Sequence, residues 1–334
     1  MQKFVRPNIL ALQPYISFRD TLSDGDYTLL DANENPFGIY NRYPDSTQKK
    51  LKQKLSEIKN IPSSQIALGN GSDELIDLII KIFCEPKKDA IVVMNPSFAM
   101  YSFYATINEN TIITLDLDSN FQLQKDEFLN KIKDSNAKVL FLCSPNNPTG
   151  NSIDDLEFYI KNFDGIVVVD EAYIEFSNQE SILGKINEFE NLIVLQTLSK
   201  ARALAGLRIG MALSSEFMIS LINKTKAPYN ISEVNMKTAL QELEKADEYE
   251  NHLQEVLIQK KILKQAFENS SSIKKVYDSD ANFFLVEVDN CEAFYDNLIQ
   301  ARILCSKRFP AIPNALRINV GSAVENQKLI QILK

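Results

Sequence analysis

The chain has 334 residues, 45% hydrophobic and 24% charged, a globular balance with room for one large domain and a smaller one. Its net charge of −8 argues against a nucleic-acid partner, and no apolar run reaches the roughly 18 residues a membrane helix needs, so no membrane partner is expected. A single histidine, His252, and four scattered cysteines without a CxxC pair argue against a Ser-His-Asp triad, a metal site or a disulfide framework, and leave proton transfer to lysine, tyrosine or carboxylates.

The opening Met1-Gln2-Lys3-Phe4-Val5-Arg6-Pro7 is followed by no signal-peptide core, which predicts a cytoplasmic chain. Residues 1–30 carry Pro7 and Pro14 and read as an extended arm. Lysine-rich 49–59 has helical spacing, with Leu51, Leu55 and Ile58 on the face away from the charges. Continuous apolar runs at 90–94, 111–115, 138–142, 165–169 and 192–195 predict strands buried on both faces. Helical patterns at 73–83, 125–133, 154–161 and 180–189 alternate with them, as in an α/β domain with a mostly parallel sheet over residues 31–230. From 233 to 269 the chain is long, charged and helical, with Leu240, Leu243, Leu253, Val256, Leu257 and Leu263 as inward candidates. Strands at 282–288 and 316–320 follow, so residues 231–334 are expected to form a smaller α+β domain.

The chemically distinctive residues fall at the carboxyl ends of the predicted strands, where open α/β sheets bind ligands. Gly69-Asn70-Gly71-Ser72-Asp73-Glu74 opens a helix whose free N–H groups suit a phosphate, or whose Ser72 and Asp73 simply cap it. Phe98 follows the run at 90–94 and suits either ring stacking or core packing. Ser144-Pro145-Asn146-Asn147-Pro148-Thr149-Gly150 is a heavily punctuated loop that aims its asparagine amides rigidly. Asp170, in Asp170-Glu171-Ala172-Tyr173, ends a buried strand, where a carboxylate needs a cation: a protonated pyridine nitrogen, a metal or a structural partner. Thr197-Leu198-Ser199-Lys200, with Arg208 and Gly210 downstream, sets a lysine capable of forming a Schiff base beside hydroxyl and guanidinium donors for a phosphate. Together these residues suggest a lysine linked to pyridoxal 5′-phosphate.

In this order they resemble the fold-type-I pyridoxal-phosphate-dependent aminotransferases, and among them the histidinol-phosphate aminotransferase family. Further matches are Val5-Arg6-Pro7-Asn8 with Pro14-Tyr15, Ala32-Asn33-Glu34-Asn35-Pro36, Asn41-Arg42-Tyr43-Pro44 and the segment after Leu316. The resemblance implies an α/β large domain with a mostly parallel, seven-stranded sheet between helices. It implies that Lys200 holds the cofactor as a Schiff base and moves the substrate proton, and that Asp170 pairs with the ring nitrogen. Asn147 and Tyr173 then flank the phenolate oxygen, and Phe98 stacks on the ring. Ser72, Asp73, Thr197, Ser199 and Arg208 cradle the phosphate, with Tyr43 reaching it from the partner subunit of a homodimer. Tyr15, Asn33 and Arg317 fall in the substrate pocket.

The implied reaction is ping-pong transamination between histidinol phosphate and 2-oxoglutarate in histidine biosynthesis. An alternative is an aminotransferase or decarboxylase for another small phosphorylated amine or amino acid. One departure bears on this choice. The family carries an arginine just before the loop leading to Arg317, where this chain reads Ile303-Leu304-Cys305-Ser306-Lys307-Arg308-Phe309-Pro310. Ser306 falls at the arginine position, leaving Lys307 or Arg308 to supply the charge.

Overall fold

The computed structural model describes residues 1–22, 25–308 and 312–333. A seven-stranded sheet has the order β1-β7-β6-β5-β4-β2-β3: β1 (Ile66–Asn70), β2 (Ala90–Asn95), β3 (Thr111–Asp116), β4 (Ala137–Cys143), β5 (Ile166–Asp170), β6 (Leu192–Thr197) and β7 (Ile209–Ser214). Only β7 runs against the others. The Val- and Leu-rich β4, β5 and β6 are almost wholly buried, as expected for strands covered on both faces. Nine helices described here cover and extend this sheet before the second one begins: α1 (Pro7–Ala11), α2 (Lys49–Lys59), α3 (Gly71–Phe83), α4 (Met100–Ile107), α5 (Lys125–Ile132), α6 (Leu156–Asn162), α7 (Glu216–Thr225), α8 (Glu233–Leu243) and α9 (Ala246–Glu268).

The second sheet is antiparallel, in the order β10 (Ser306–Lys307), β11 (Ala315–Asn319), β9 (Phe283–Glu287) and β8 (Lys275–Val276). Leu316 and Ile318 share one face and pack with Phe284, Val286, Leu263 and Phe267, joined by α10 (Cys291–Gln300) and α11 (Ala323–Leu333). By the two-residue period of a strand, Arg317 points from the other face. On that face Phe283 meets Tyr173 and Phe176, which follow β5, so this contact ties the second sheet to the first beside Arg317.

Three expectations change. The segment 180–189 is not an α-helix; it holds a short 3₁₀ turn, Ile182–Lys185. The buried Glu171 carboxylate accepts bonds from Ser181 Oγ at 2.5 Å and the Ile182 amide at 2.8 Å, which pins the segment's start, and Gly184 disfavours helix beyond it. The long helix after 233 is two helices, parted at Glu244 and Lys245, and α8 still packs in the large core through Met236, Ala239 and Leu243. The chain's start is not extended: Pro7 begins α1, and Phe4, Val5 and Ile9 are buried in the large core. Arg6 fastens it there, donating to Glu85 at 2.9 Å and to the Lys81 carbonyl at 2.9 Å. No described helix is long and apolar enough to cross a membrane.

Candidate active site

The parallel strands end on one edge of the sheet, and their last residues surround a cavity of about 320 Å³. Its lining includes Ser72, Asp73, Phe98, Asn147, Asp170, Tyr173, Thr197, Ser199, Lys200, Arg208, Arg308 and Arg317. Strand order brings the residues from Ser72 to Arg208 to one hole, and the second sheet adds Arg308 and Arg317.

Asp170 sits at the bottom, 3% exposed. Tyr101 Oη donates to it at 2.7 Å and the Ala172 amide at 3.1 Å. Burial still pushes this carboxyl above its usual range, because neither neutral donor replaces lost hydration. Tyr101 was not singled out in the sequence. It is fully buried, stacked on Phe141 with ring centroids 4.6 Å apart and edge-on to Phe98 at 5.5 Å. Its only linear clue is its place one helical turn after Phe98.

Lys200 follows β6, with Nζ 5.4 Å from the centre of the Tyr173 ring. Burial and then the Arg317 charge hold its amine below the ordinary lysine range, against the opposing pull of Asp170. A neutral amine is what nucleophilic attack on an aldehyde requires. Tyr173 is itself packed edge-on against Phe283 at 5.2 Å, and burial raises its phenol.

At the β1–α3 turn, Gly71 has φ +77°, and a Cβ there would lie against the Arg208 guanidinium. A Cβ on Gly210 would fall on the Ser72 backbone nitrogen. These two glycines let β7, Arg208 and the start of α3 close on one another. No side chain caps the first turn of α3; the Gly71 amide donates to the Arg208 carbonyl at 2.8 Å, Ser72 and Asp73 line the cavity, and the Arg208 guanidinium contacts Asp73 at 3.4 Å. Ser199 donates its amide to Thr197 Oγ1 at 3.1 Å, which orders the lysine-bearing turn.

The opposite wall is cationic. Arg317 Nη1 donates to Asn147 Oδ1, and its guanidinium lies 5.3 Å from the centre of the Phe283 ring. Strand register decides between Lys307 and Arg308. Ser306 pairs with Arg317 across β10 and β11, so Arg308, two residues on, returns to the cavity face. Lys307 pairs with Leu316 and turns out to Glu292 at 2.9 Å. Arg308 donates to Ser306 Oγ, and the Nε atoms of Arg308 and Arg317 are buried without a hydrogen-bond partner among the described residues. Burial and the neighbouring Arg317 oppose the Arg308 charge, a cost that an anion would offset. Phe309 and Pro310 lie outside the described residues.

Tyr15, Asn33 and Tyr43 do not line the cavity of their own chain. Tyr43 stacks on Tyr229 at 4.5 Å, Tyr15 meets the same ring edge-on at 6.4 Å, and Asn33 is exposed with φ +55°. The Glu34 carboxylate organises this stretch, accepting from Arg19 at 2.8 Å, Arg42 at 2.7 Å and the Tyr43 amide at 2.6 Å.

Residues 22–333 match the model of the aminotransferase class I and II family. The chain belongs to this family. It is 44% identical over 342 residues to a histidinol-phosphate aminotransferase of Flavobacterium psychrophilum, covering 100% of this chain and 98% of the relative. A histidinol-phosphate aminotransferase from Clostridium acetobutylicum superposes with a TM-score of 0.80 at 24% identity, over 91% of this chain and 97% of that one. The Sinorhizobium meliloti histidinol-phosphate aminotransferase, solved in complex with pyridoxal-5′-phosphate, gives 0.80 at 21% identity, over 87% of this chain and 82% of that one.

The chain is therefore a pyridoxal-phosphate-dependent aminotransferase of fold type I. Its own residues fit the cofactor. Among the described residues the buried Asp170 makes no ion pair, the glycines at the β1–α3 turn bring Arg208 up against the start of α3, and Ser72, Asp73, Arg208, Asp170 and Lys200 line one cavity.

Proposed function

We propose that this aminotransferase moves the amino group of histidinol phosphate to 2-oxoglutarate, giving imidazole acetol phosphate and glutamate, a step of histidine biosynthesis. The observation that carries this reading is the pair Arg308 and Arg317, with unpartnered Nε atoms, in the cavity that holds Lys200. Both substrates bring an anion in addition to the reacting amine or carbonyl, and guanidinium groups bind phosphate and carboxylate bidentately. Family membership and the 44% identical relative support the same assignment.

In this reading Lys200 ties the cofactor to the chain, then removes and returns the proton at the substrate Cα. Asp170 faces the ring nitrogen, with Tyr101 holding the carboxylate in place. Asn147 and Tyr173 hold the phenolate oxygen, and Phe98 covers the ring. The amides of Ser72 and Asp73, the hydroxyls of Thr197 and Ser199, and Arg208 take the phosphate. When bound, the cofactor supplies a protonated pyridine ring that accepts the electron pair left at Cα. Arg317 donates to Asn147 Oδ1, so a substrate anion and that amide compete for the same guanidinium. The arm, the cofactor-binding domain and a smaller domain that brings Arg317 and Arg308 to the cavity belong to the same proposal.

The assay is glutamate formation by the purified holoenzyme from histidinol phosphate and 2-oxoglutarate. Turnover with another phosphorylated amine, but none with histidinol phosphate, overturns the substrate. Arg308→Ala is expected to raise the KM for histidinol phosphate about tenfold or more while leaving the half-reaction with glutamate within about twofold. Equal losses in both halves would show that Arg308 does not read the phosphate.

The homodimer is part of the proposal. Between residues 15 and 43 the chain exposes Ile16 (60%), Phe18 (77%), Leu30 (89%), Phe37 (83%), Ile39 (85%) and Tyr40 (74%), far more apolar surface than a monomer leaves to water. Tyr43 lies in this stretch, half exposed, and in this reading enters the cavity of a second copy, with Tyr15 and Asn33 contributing from the same stretch. Inactive Lys200→Ala and impaired Tyr43→Ala chains, mixed and reassembled, are expected to regain activity, because each mixed dimer then holds one intact site. A mixture no more active than its parents would place Tyr43 outside the site.

A further inference from the structure

Lys226, at the end of α7, is 7% exposed, a rare state for lysine. Among the described residues no carboxylate lies within ion-pairing distance of it. Its Nζ donates to Gln48 Oε1 at 2.6 Å and to the Leu68 carbonyl at 3.4 Å. Burial first, and then repulsion from Lys52, lower its amine to about 7, while Glu74 and Asp45 pull the other way. An apolar side chain of similar length would fill this place without the desolvation cost, so the amine must do something by its hydrogen bonds.

Those bonds begin a chain of contacts that runs from buried Lys226 and Gln48 out to exposed Asn70. Gln48 passes its amide to Asn230 Oδ1 at 3.1 Å. Asn230 donates to the Leu68 carbonyl at 3.1 Å and to Glu74 Oε2 at 2.8 Å. Glu74 Oε2 accepts the Asn70 amide at 2.5 Å, and the Asn70 side chain reaches the Asn230 carbonyl at 3.3 Å. Leu68 and Asn70 belong to β1 and lead directly into Gly71, Ser72 and Asp73. The network thus fastens the β1–α3 turn to the 226–230 segment. It also fastens Gln48, five residues after Tyr43, and that segment carries Tyr229, on which Tyr43 stacks.

We infer that Lys226 is a positioning residue for phosphate binding, locking the β1–α3 turn and the Tyr43–Tyr229 pair into one geometry. It touches neither cofactor nor substrate and acts through Gln48, Leu68 and Asn230. The inference rests on the assignment of the α3 turn to the cofactor phosphate.

The test compares pyridoxal 5′-phosphate with pyridoxal, which lacks the phosphate. The full-length chain is freed of cofactor and titrated with each. In Lys226→Met the affinity for pyridoxal 5′-phosphate is expected to fall about tenfold, the scale of one hydrogen bond lost from the network that holds the turn, while that for pyridoxal stays within about twofold. Asn230→Ala, which breaks the same network from its other end, is expected to give the same selective loss and stands in if Lys226→Met does not fold. Equal weakening of both ligands, or no change in either, overturns the inference. Arg208→Gln is the control. If it lowers the ratio of the two affinities and the network variants do not, Lys226 is only structural and the phosphate assignment stands. If none of the variants lowers it, the phosphate assignment itself fails.

Discussion

Lys200→Ala is expected to lower transamination by more than about 10⁴-fold, because in the proposed mechanism one side chain holds two roles that nothing nearby replaces. The chain's one histidine, His252, lies on α9 outside the cavity, so no imidazole is at hand to move the Cα proton. Tyr173 is held protonated by burial, and Asp170 is committed to Tyr101 and the Ala172 amide. Arg208, Arg308 and Arg317 are cations that cannot accept a proton. Lysine alone combines reach, a lowered amine pKa and nucleophilicity. Reduction with borohydride followed by intact-mass measurement checks the covalent role: the wild-type chain gains the cofactor's mass, and the variant does not. Added methylamine is expected to recover part of the proton-transfer rate in the variant, since the cavity has room for a small base. A variant within tenfold of wild type would remove Lys200 from the mechanism.

Much of this was legible in the sequence for a physical reason. β4, β5 and β6 are buried on both faces, so their apolar runs are continuous and end abruptly at a polar residue or loop, which marks Asn147, Asp170 and Lys200 together. β1 and β7 escaped because their runs are short and interrupted by Gly69 and Gly210. Those two glycines are register partners, a fact that exists only once the strands pair. Tyr101 escaped for the same kind of reason: its bond to Asp170 spans 69 positions, and an aromatic at helical spacing gives no local sign of its partner. The choice between Lys307 and Arg308 follows from strand parity, which needs the register of β10 on β11. Lys226 gives no sign of its role in the sequence, since Gln48, its hydrogen-bond acceptor, lies 178 positions away.

Asp170→Asn is expected to lower kcat by about 10³-fold while leaving the protein without cofactor no less stable. The two effects have one origin. In the empty cavity the Asp170 charge is a liability: burial raises its pKa, and Tyr101 and Ala172 offer only neutral donors. Asparagine keeps the shape and removes the charge. In the proposed arrangement the same charge is the partner of the ring nitrogen once the cofactor is in place. Holding that nitrogen protonated by about three pKa units corresponds to about 4 kcal/mol, or about 10³ in rate if the electron sink depends on it. The thermal midpoint therefore separates the cases. Saturating cofactor stabilises the wild-type chain in proportion to its affinity, by about 2.7 kcal/mol at a hundredfold excess over Kd, and is expected to stabilise Asp170→Asn less. Tyr101→Phe supplies the intermediate case, because the carboxylate keeps its charge but loses one donor and its fixed direction. A rate loss of about tenfold is expected there, the scale of one hydrogen bond to a charged group. If Asp170→Asn fell only as far as Tyr101→Phe, Asp170 would merely orient a neighbour, and the ring nitrogen would have to be protonated by something other than this buried charge.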